Sequence, residues 1–411
     1  MNSKPVQTIV VPASAQLKRN CQASVLGVKG GGLLLAYSQY LEASTADQGP
    51  ANIVALRSTD GGHSWGSPCT IASSRDQSEN VQSVSVVHLG PGRIGAFYIL
   101  VKPRMGAGWA EGNYEDTDGV HRMDLMMHVS SDEGLTWSEG RSINPPDEFY
   151  QCIVNDAAQR LSSGRIVIPC DQVTSNYNAG MIAFLRCLYS DDQGQTWRQS
   201  RYRILLSEAN SMGEASLTEM SDGRLIMITR SSRSGFVYKC YSEDGGETWS
   251  LPETTDLVTS PSPGQVRRVP GTDDIVVVWN QVTKTEWVYG FARHRLSCAI
   301  SSDGGNTWKH HRNLESFDDR TYIPPEEAGI RLPSGELAGP TGDSAELEKP
   351  RMAVDDRKAA MGFAKEKNVM AEYPSAAFVG DTAYVTYDLA TPDGIALKLQ
   401  ILPKDWFYGG A

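Results

Sequence analysis

Ser58-Thr-Asp-Gly-Gly-His-Ser-Trp65 returns four more times along this chain: Ser130-Ser-Asp-Glu-Gly-Leu-Thr-Trp137, Ser190-Asp-Asp-Gln-Gly-Gln-Thr-Trp197, Ser242-Glu-Asp-Gly-Gly-Glu-Thr-Trp249 and Ser301-Ser-Asp-Gly-Gly-Asn-Thr-Trp308. The shared pattern is S-x-D-x-G-x-[ST]-W. Its aspartates, at 60, 132, 192, 244 and 303, stand 72, 60, 52 and 59 residues apart, the length of one four-stranded blade with its loops. Each copy reads as a hairpin turn, in which the Asp carboxylate accepts backbone N–H bonds, Gly supplies a positive φ and Trp packs under the turn. The same turn in every repeat cannot face one active site, so all five copies read as folding devices.

Working outward, the segments between these turns are short apolar or alternating runs such as GLLLAYSQY, NIVALRS, RIGAFYIL, GRIVIPCD, GRLIMITR, DIVVVWNQ and TAYVTYDL. No long 3.6-period stretch competes with them. The turns close five blades. The tail, SAAFVGDTAYVTYDL and IALKLQILP, supplies a sixth that lacks the motif, and the early strand TIVVPA completes that last blade and removes its open edge. The expected fold is all-β: a six-bladed β-propeller of four-stranded antiparallel blades, forming a single domain over residues 1–411. Residues about 310–370 break the rhythm with the Pro-rich IPPEEAGIRLPSG and the charged DRKAAMGFAKEKN, a short helix by composition. They read as an inter-blade insertion rather than as a lid or an oligomer contact.

Composition narrows the function classes. Apolar residues make up 40% and charged residues 21%, a globular balance. The net charge of −11 opposes a nucleic-acid or anionic-membrane surface, so an anionic ligand has to be met by locally clustered arginines. No segment approaches the ~18 consecutive apolar residues of a membrane span. Seven cysteines (21, 69, 152, 170, 187, 240, 298) lack CxxC or CxxH spacing, so neither a metal site nor any other cofactor is expected. Their odd number and an N-terminus, MNSKPVQTIVVPASAQ, without a secretory apolar region point to a cytoplasmic setting; the mature form of an exported protein reads the same. The oligomeric state is not encoded in any pattern found.

The five turns resemble the Asp boxes, or BNR repeats, of the sialidase (neuraminidase) superfamily, and the resemblance covers nearly the whole chain. It implies a glycan or oligosaccharide substrate. It also implies a central site with three arginines for the substrate carboxylate, a tyrosine nucleophile paired with a glutamate, and an aspartate acid/base. Tyrosine suits an anomeric carbon that already bears a carboxylate, because a neutral phenol avoids the repulsion an anionic nucleophile would meet.

Carried over residue by residue, GEASLTEMSDGRLIMITR matches the glutamate and second arginine as Glu214 and Arg230, sixteen positions apart. Arg293 in RHRLSCAISSDGGNTW matches the third arginine, with Arg295 its rival, and Tyr373 in AEYPSAAFVG matches the nucleophile. Asp47 in STADQGPANIVAL stands where the acid/base loop falls, with Glu42 as the alternative acid. The first arginine departs from the family. Aligning GGLLLAY puts Cys21 or Gln22 at its place, and Arg19 substitutes only with a shifted loop. The leading expectation is an exo-α-sialidase-type glycoside hydrolase. A lyase or other glycosidase acting on uronic-acid glycans is the alternative, with His121 and His294 as candidate bases. A non-catalytic carbohydrate-binding propeller is the third reading.

Overall fold

The computed structural model describes residues 5–75, 79–102, 122–146, 148, 150–176, 180–205, 212–231, 234–288, 291–328, 330–331, 337–338 and 369–410. Six four-stranded antiparallel sheets follow one another in a six-bladed propeller. Blade 1 runs from Asn20–Gly27 through Leu33–Tyr40 and Ala51–Ser58 to Cys69–Ser73. Blades 2 to 5 repeat that meander, starting from inner strands Asn80–Gly90, Gln159–Arg160, Met212–Glu219 and Gln265–Arg268.

Blade 6 is assembled from both ends of the chain. Ala371–Val379, Thr382–Thr391 and Gly394–Pro403 supply three strands, and Val6–Val11 pairs antiparallel with the last of them, Val6 opposite Ile401. The expected closure by TIVVPA is therefore present, and it covers the edge that an unclosed propeller would offer to another chain. Among the described residues no helix is long and apolar enough to cross a membrane. The stretch expected to be helical, residues 356–368, lies outside the described residues.

Each box joins the third strand of its blade to the fourth. In the third, Ser190 Oγ donates to Asp192 Oδ1 at 2.8 Å while accepting the Gly194 N–H at 2.8 Å, and Thr196 donates its N–H and hydroxyl to the same carboxylate. The other four boxes repeat the serine, aspartate and glycine contacts. In the second box the Thr136 hydroxyl and N–H hold Asp132 down to about 2.

The box glycine does more than turn the chain. Gly305 has φ 90°, and a Cβ there would stand 2.6 Å from Ile226 Cδ1 of blade 4. Gly246, Gly194, Gly134 and Gly62 meet Val167, Met127, Leu34 and Ile401 in the same way, each on the preceding blade around the ring. The boxes thus wedge blade against blade, a role that the turn chemistry alone does not announce. Trp197 adds to it, its ring edge-on to Phe97 of blade 2 with centroids 5.5 Å apart.

Candidate active site

The inner strands of blades 1, 2, 4 and 6 all slip register at the same level: between Cys21 and Ser24, Gln82 and Ser85, Gly213 and Ser216, and Glu372 and Ser375. The first unpaired residue of each slip has a positive φ: Gln22 56°, Ser83 59°, Glu214 49° and Tyr373 49°. A non-glycine residue held there costs on the order of 1–3 kcal/mol, and a bulge re-aims the side chain it carries. The neighbouring blade secures three of these kinks. Asp171 accepts the Glu214 N–H with both oxygens at 2.8 Å, Asp388 accepts the Gln22 N–H at 2.7 Å, and Ser38 accepts the Ser83 N–H at 3.1 Å. Gly213 is required beside the first of them, because a Cβ would lie 2.6 Å from Asp171 Oδ2.

These kinks bring four of the expected residues together. Tyr373 donates its hydroxyl to Glu214 Oε1 at 3.0 Å, and Arg230 Nη1 lies 2.7 Å from Glu214 Oε2. Arg293 stands with its guanidinium carbon 5.4 Å from the Tyr373 ring centroid. Arg230 and Arg293 both donate to the Pro261 carbonyl, at 2.9 and 3.3 Å, so the two cations sit side by side. Arg293 is also ion-paired with Glu372. Burial first, and the Glu214 charge second, push the Tyr373 phenol well above its ordinary 10, against the pull of the two arginines. The phenol is therefore protonated at rest, with a proton acceptor, Glu214, already in contact. Burial and the Glu214 charge likewise push Asp171 up to about 7. Burial and Glu372 raise Asp388 well above the carboxylate range.

Arg19 and Asp47 form a separate pair. Arg19 Nη1 meets Asp47 Oδ1 at 2.5 Å and the Thr45 carbonyl at 3.1 Å, and the guanidinium stacks on Tyr40 at 4.4 Å. Asp47 is exposed on its loop, as is Glu42. Of the two residues aligned with the family's first arginine, Gln22 is the one at the positive φ, and its Oε1 accepts the Ser83 N–H at 3.1 Å. Arg295, the rival of Arg293, is buried between Glu286 and Asp318, a structural ion-pair network. His294 stands in an aromatic cluster, 5.0 Å from the Phe291 ring and 6.5 Å from that of Phe317. His121 lies outside the described residues.

Sequence reasoning missed Glu372, Asp171 and Asp388. A signal for the two aspartates exists in hindsight, since GRIVIPCD and TAYVTYDL each carry an aspartate after the apolar run of a blade's second strand. Glu372 carried no signal beyond standing next to Tyr373. Among the described residues, no group of three or more His, Cys, Asp or Glu side chains is arranged to hold a metal ion.

Comparison with known proteins bears on the family and the fold. The model of the BNR repeat-like domain matches residues 31–385. The chain is 27% identical to a sialidase of Micromonospora viridifaciens over 375 residues, covering 82% of this chain and 54% of that protein. It is 24% identical to a sialidase of Bacteroides fragilis over 315 residues, covering 69% and 53%. The chain thus spans about half the length of these curated relatives. Among solved structures, Trypanosoma rangeli sialidase in complex with the inhibitor DANA superposes with a TM-score of 0.65 at 14% identity, covering 98% of this chain and 60% of that one. A Dyadobacter fermentans protein of unknown function superposes with a TM-score of 0.64 at 17% identity, covering 97% of both chains. At these identities the superpositions speak for the fold alone.

Proposed function

Because this chain belongs to the BNR repeat-like domain family of the sialidase superfamily, we propose that it is a retaining exo-glycosidase of sialidase type, releasing a terminal carboxylate-bearing sugar from a glycan. The observation that carries the reading is the Tyr373–Glu214 hydrogen bond of 3.0 Å, formed beside Arg230 and Arg293. Its parts are a buried phenol that needs a proton acceptor, a carboxylate in contact with it, and two adjacent cations for an acid group.

In the first half of the reaction the Tyr373 oxygen bonds to the anomeric carbon while its proton passes to Glu214. The bond from that carbon to the leaving oxygen breaks, and a proton that the exposed Asp47 has taken up from solvent passes to the leaving group. In the second half Asp47 takes a proton from water, the resulting hydroxide displaces Tyr373 from the sugar, and Tyr373 recovers its proton from Glu214. Arg230 and Arg293 orient the sugar through its carboxylate, and Arg19 positions Asp47 rather than touching the sugar.

The test is hydrolysis of an aryl sialoside by the wild type and by Tyr373→Phe. Loss of turnover on the order of 10³-fold or more, with the fold retained, supports the mechanism. Full activity in the variant overturns it. A product lighter by water, absorbing in the near ultraviolet, moves the assignment to elimination, and binding without product moves it to a non-catalytic propeller.

A further inference from the structure

The site offers little net positive charge to a ligand, because its own carboxylates already occupy its cations. Glu214 pairs with Arg230, Glu372 with Arg293 and Asp47 with Arg19. Neither Cys21 nor Gln22, the two residues aligned with the family's first arginine, is a cation, and the Gln22 oxygen is engaged by the Ser83 N–H. Two of the pairs have evident uses, since Glu214 accepts the Tyr373 proton and Asp47 lies on its own loop. The Arg293–Glu372 pair has none so far. Glu372 is 7% exposed and stands directly opposite Asp388 across the strand pair Ala371–Val379 and Thr382–Thr391. Two carboxylates face to face in a sheet repel each other, so the pair does not readily carry both charges. Asp388 is fixed by the Gln22 N–H and raised in part by the Glu372 charge, which leaves Glu372 to lean on Arg293.

Arg293 is not sealed by this contact. A quarter of its side chain and three-tenths of that of Arg230 remain exposed, so a ligand reaches both. A guanidinium has a limited set of donors, and an oxygen of Glu372 held on Nη1 takes one that a ligand carboxylate would use in a two-point grip.

We propose that Glu372 is a specificity-determining residue, an internal carboxylate that competes with the substrate's own carboxylate for Arg293 and so sets how strongly the pocket prefers an acidic sugar over its uncharged counterpart. The proposal rests on the reading of Arg230 and Arg293 as the carboxylate grip. It gives Glu372 a sign opposite to that of a mere anchor for Arg293. An anchor strengthens carboxylate binding by holding the guanidinium in place; a competitor weakens it.

The experiment measures, by calorimetry, the binding of the methyl α-glycoside of N-acetylneuraminic acid and of its methyl ester to the wild type, Glu372→Gln and Glu372→Ala, each with its melting temperature recorded. Removing the competing charge is expected to tighten binding of the acid about tenfold, the scale of one charge-assisted hydrogen bond, while leaving the ester within about twofold. Both variants move the acid-to-ester ratio the same way, and that ratio does not respond to a general loosening of the site. An acid that binds the folded variants no better than the wild type overturns the proposal, as does an ester that tightens equally. Hydrolysis of an aryl sialoside by the wild type is read alongside. Tighter acid binding without hydrolysis keeps the role of Glu372 and removes the glycosidase reading; hydrolysis with unchanged acid binding does the reverse. Failure of all three proteins to bind the acid overturns both.

Discussion

At the scale of single residues the site is organised by carboxyl groups with different partners. Asp171 illustrates the consequence. Its folded-state value is pushed up to about 7 from an ordinary 3.8, so the fold favours its protonated form. The stability it contributes is therefore fully present below pH 3.8 and is lost as pH rises through 7. Asp171→Asn keeps an acceptor for the Glu214 N–H but cannot ionise. Its melting temperature should match the wild type near pH 4 and rise above it progressively up to pH 8, as followed by circular dichroism. A wild type that gains stability relative to the variant as pH rises would contradict this account. Glu214, Arg230 and Arg293 were picked out in the sequence through family spacing, and Tyr373 through its place just ahead of an apolar strand, because such local positions follow from the strand and turn lengths of a single blade. The engagement of Gln22 and the pairing of Arg19 were not, because a bulge adds an unpaired residue that no count along the sequence reveals.

At the scale of elements, two repeated devices build the ring. One is the inner-strand kink, held from the neighbouring blade by Asp171, Asp388 and Ser38. The other is the box. Its internal chemistry was readable from S-x-D-x-G-x-[ST]-W alone, since every hydrogen bond in it spans at most four residues. Its packing was not, because the side chain that meets each box glycine comes from another blade. The buried Ser190 hydroxyl is the hinge of the third box, donating to Asp192 and accepting from Gly194. Ser190→Ala leaves that N–H without its acceptor and should destabilise the protein by about 1–3 kcal/mol in urea unfolding, with activity per folded molecule retained. An unchanged midpoint would show that the box serine is dispensable.

At the scale of the whole molecule, closure of blade 6 by Val6–Val11 ties the first residues described to the last strand, and the ring then holds Tyr373 of blade 6 against Glu214 of blade 4 across the centre. These residues lie 159 positions apart, so their meeting depends on six blades closing at the right count. Blade number was legible from five boxes and one unmarked tail; the charge balance at the centre was not, because it sums contributions from every blade that reaches it. The proposed mechanism bonds Tyr373 to the sugar. Its most direct test is incubation with 2,3-difluorosialic acid, followed by proteolysis and mass spectrometry of the peptides. A stable sugar adduct on Tyr373, absent from Tyr373→Phe, is the expected result. An adduct on another residue, or an unmodified Tyr373 in a preparation that hydrolyses sialosides, would contradict it.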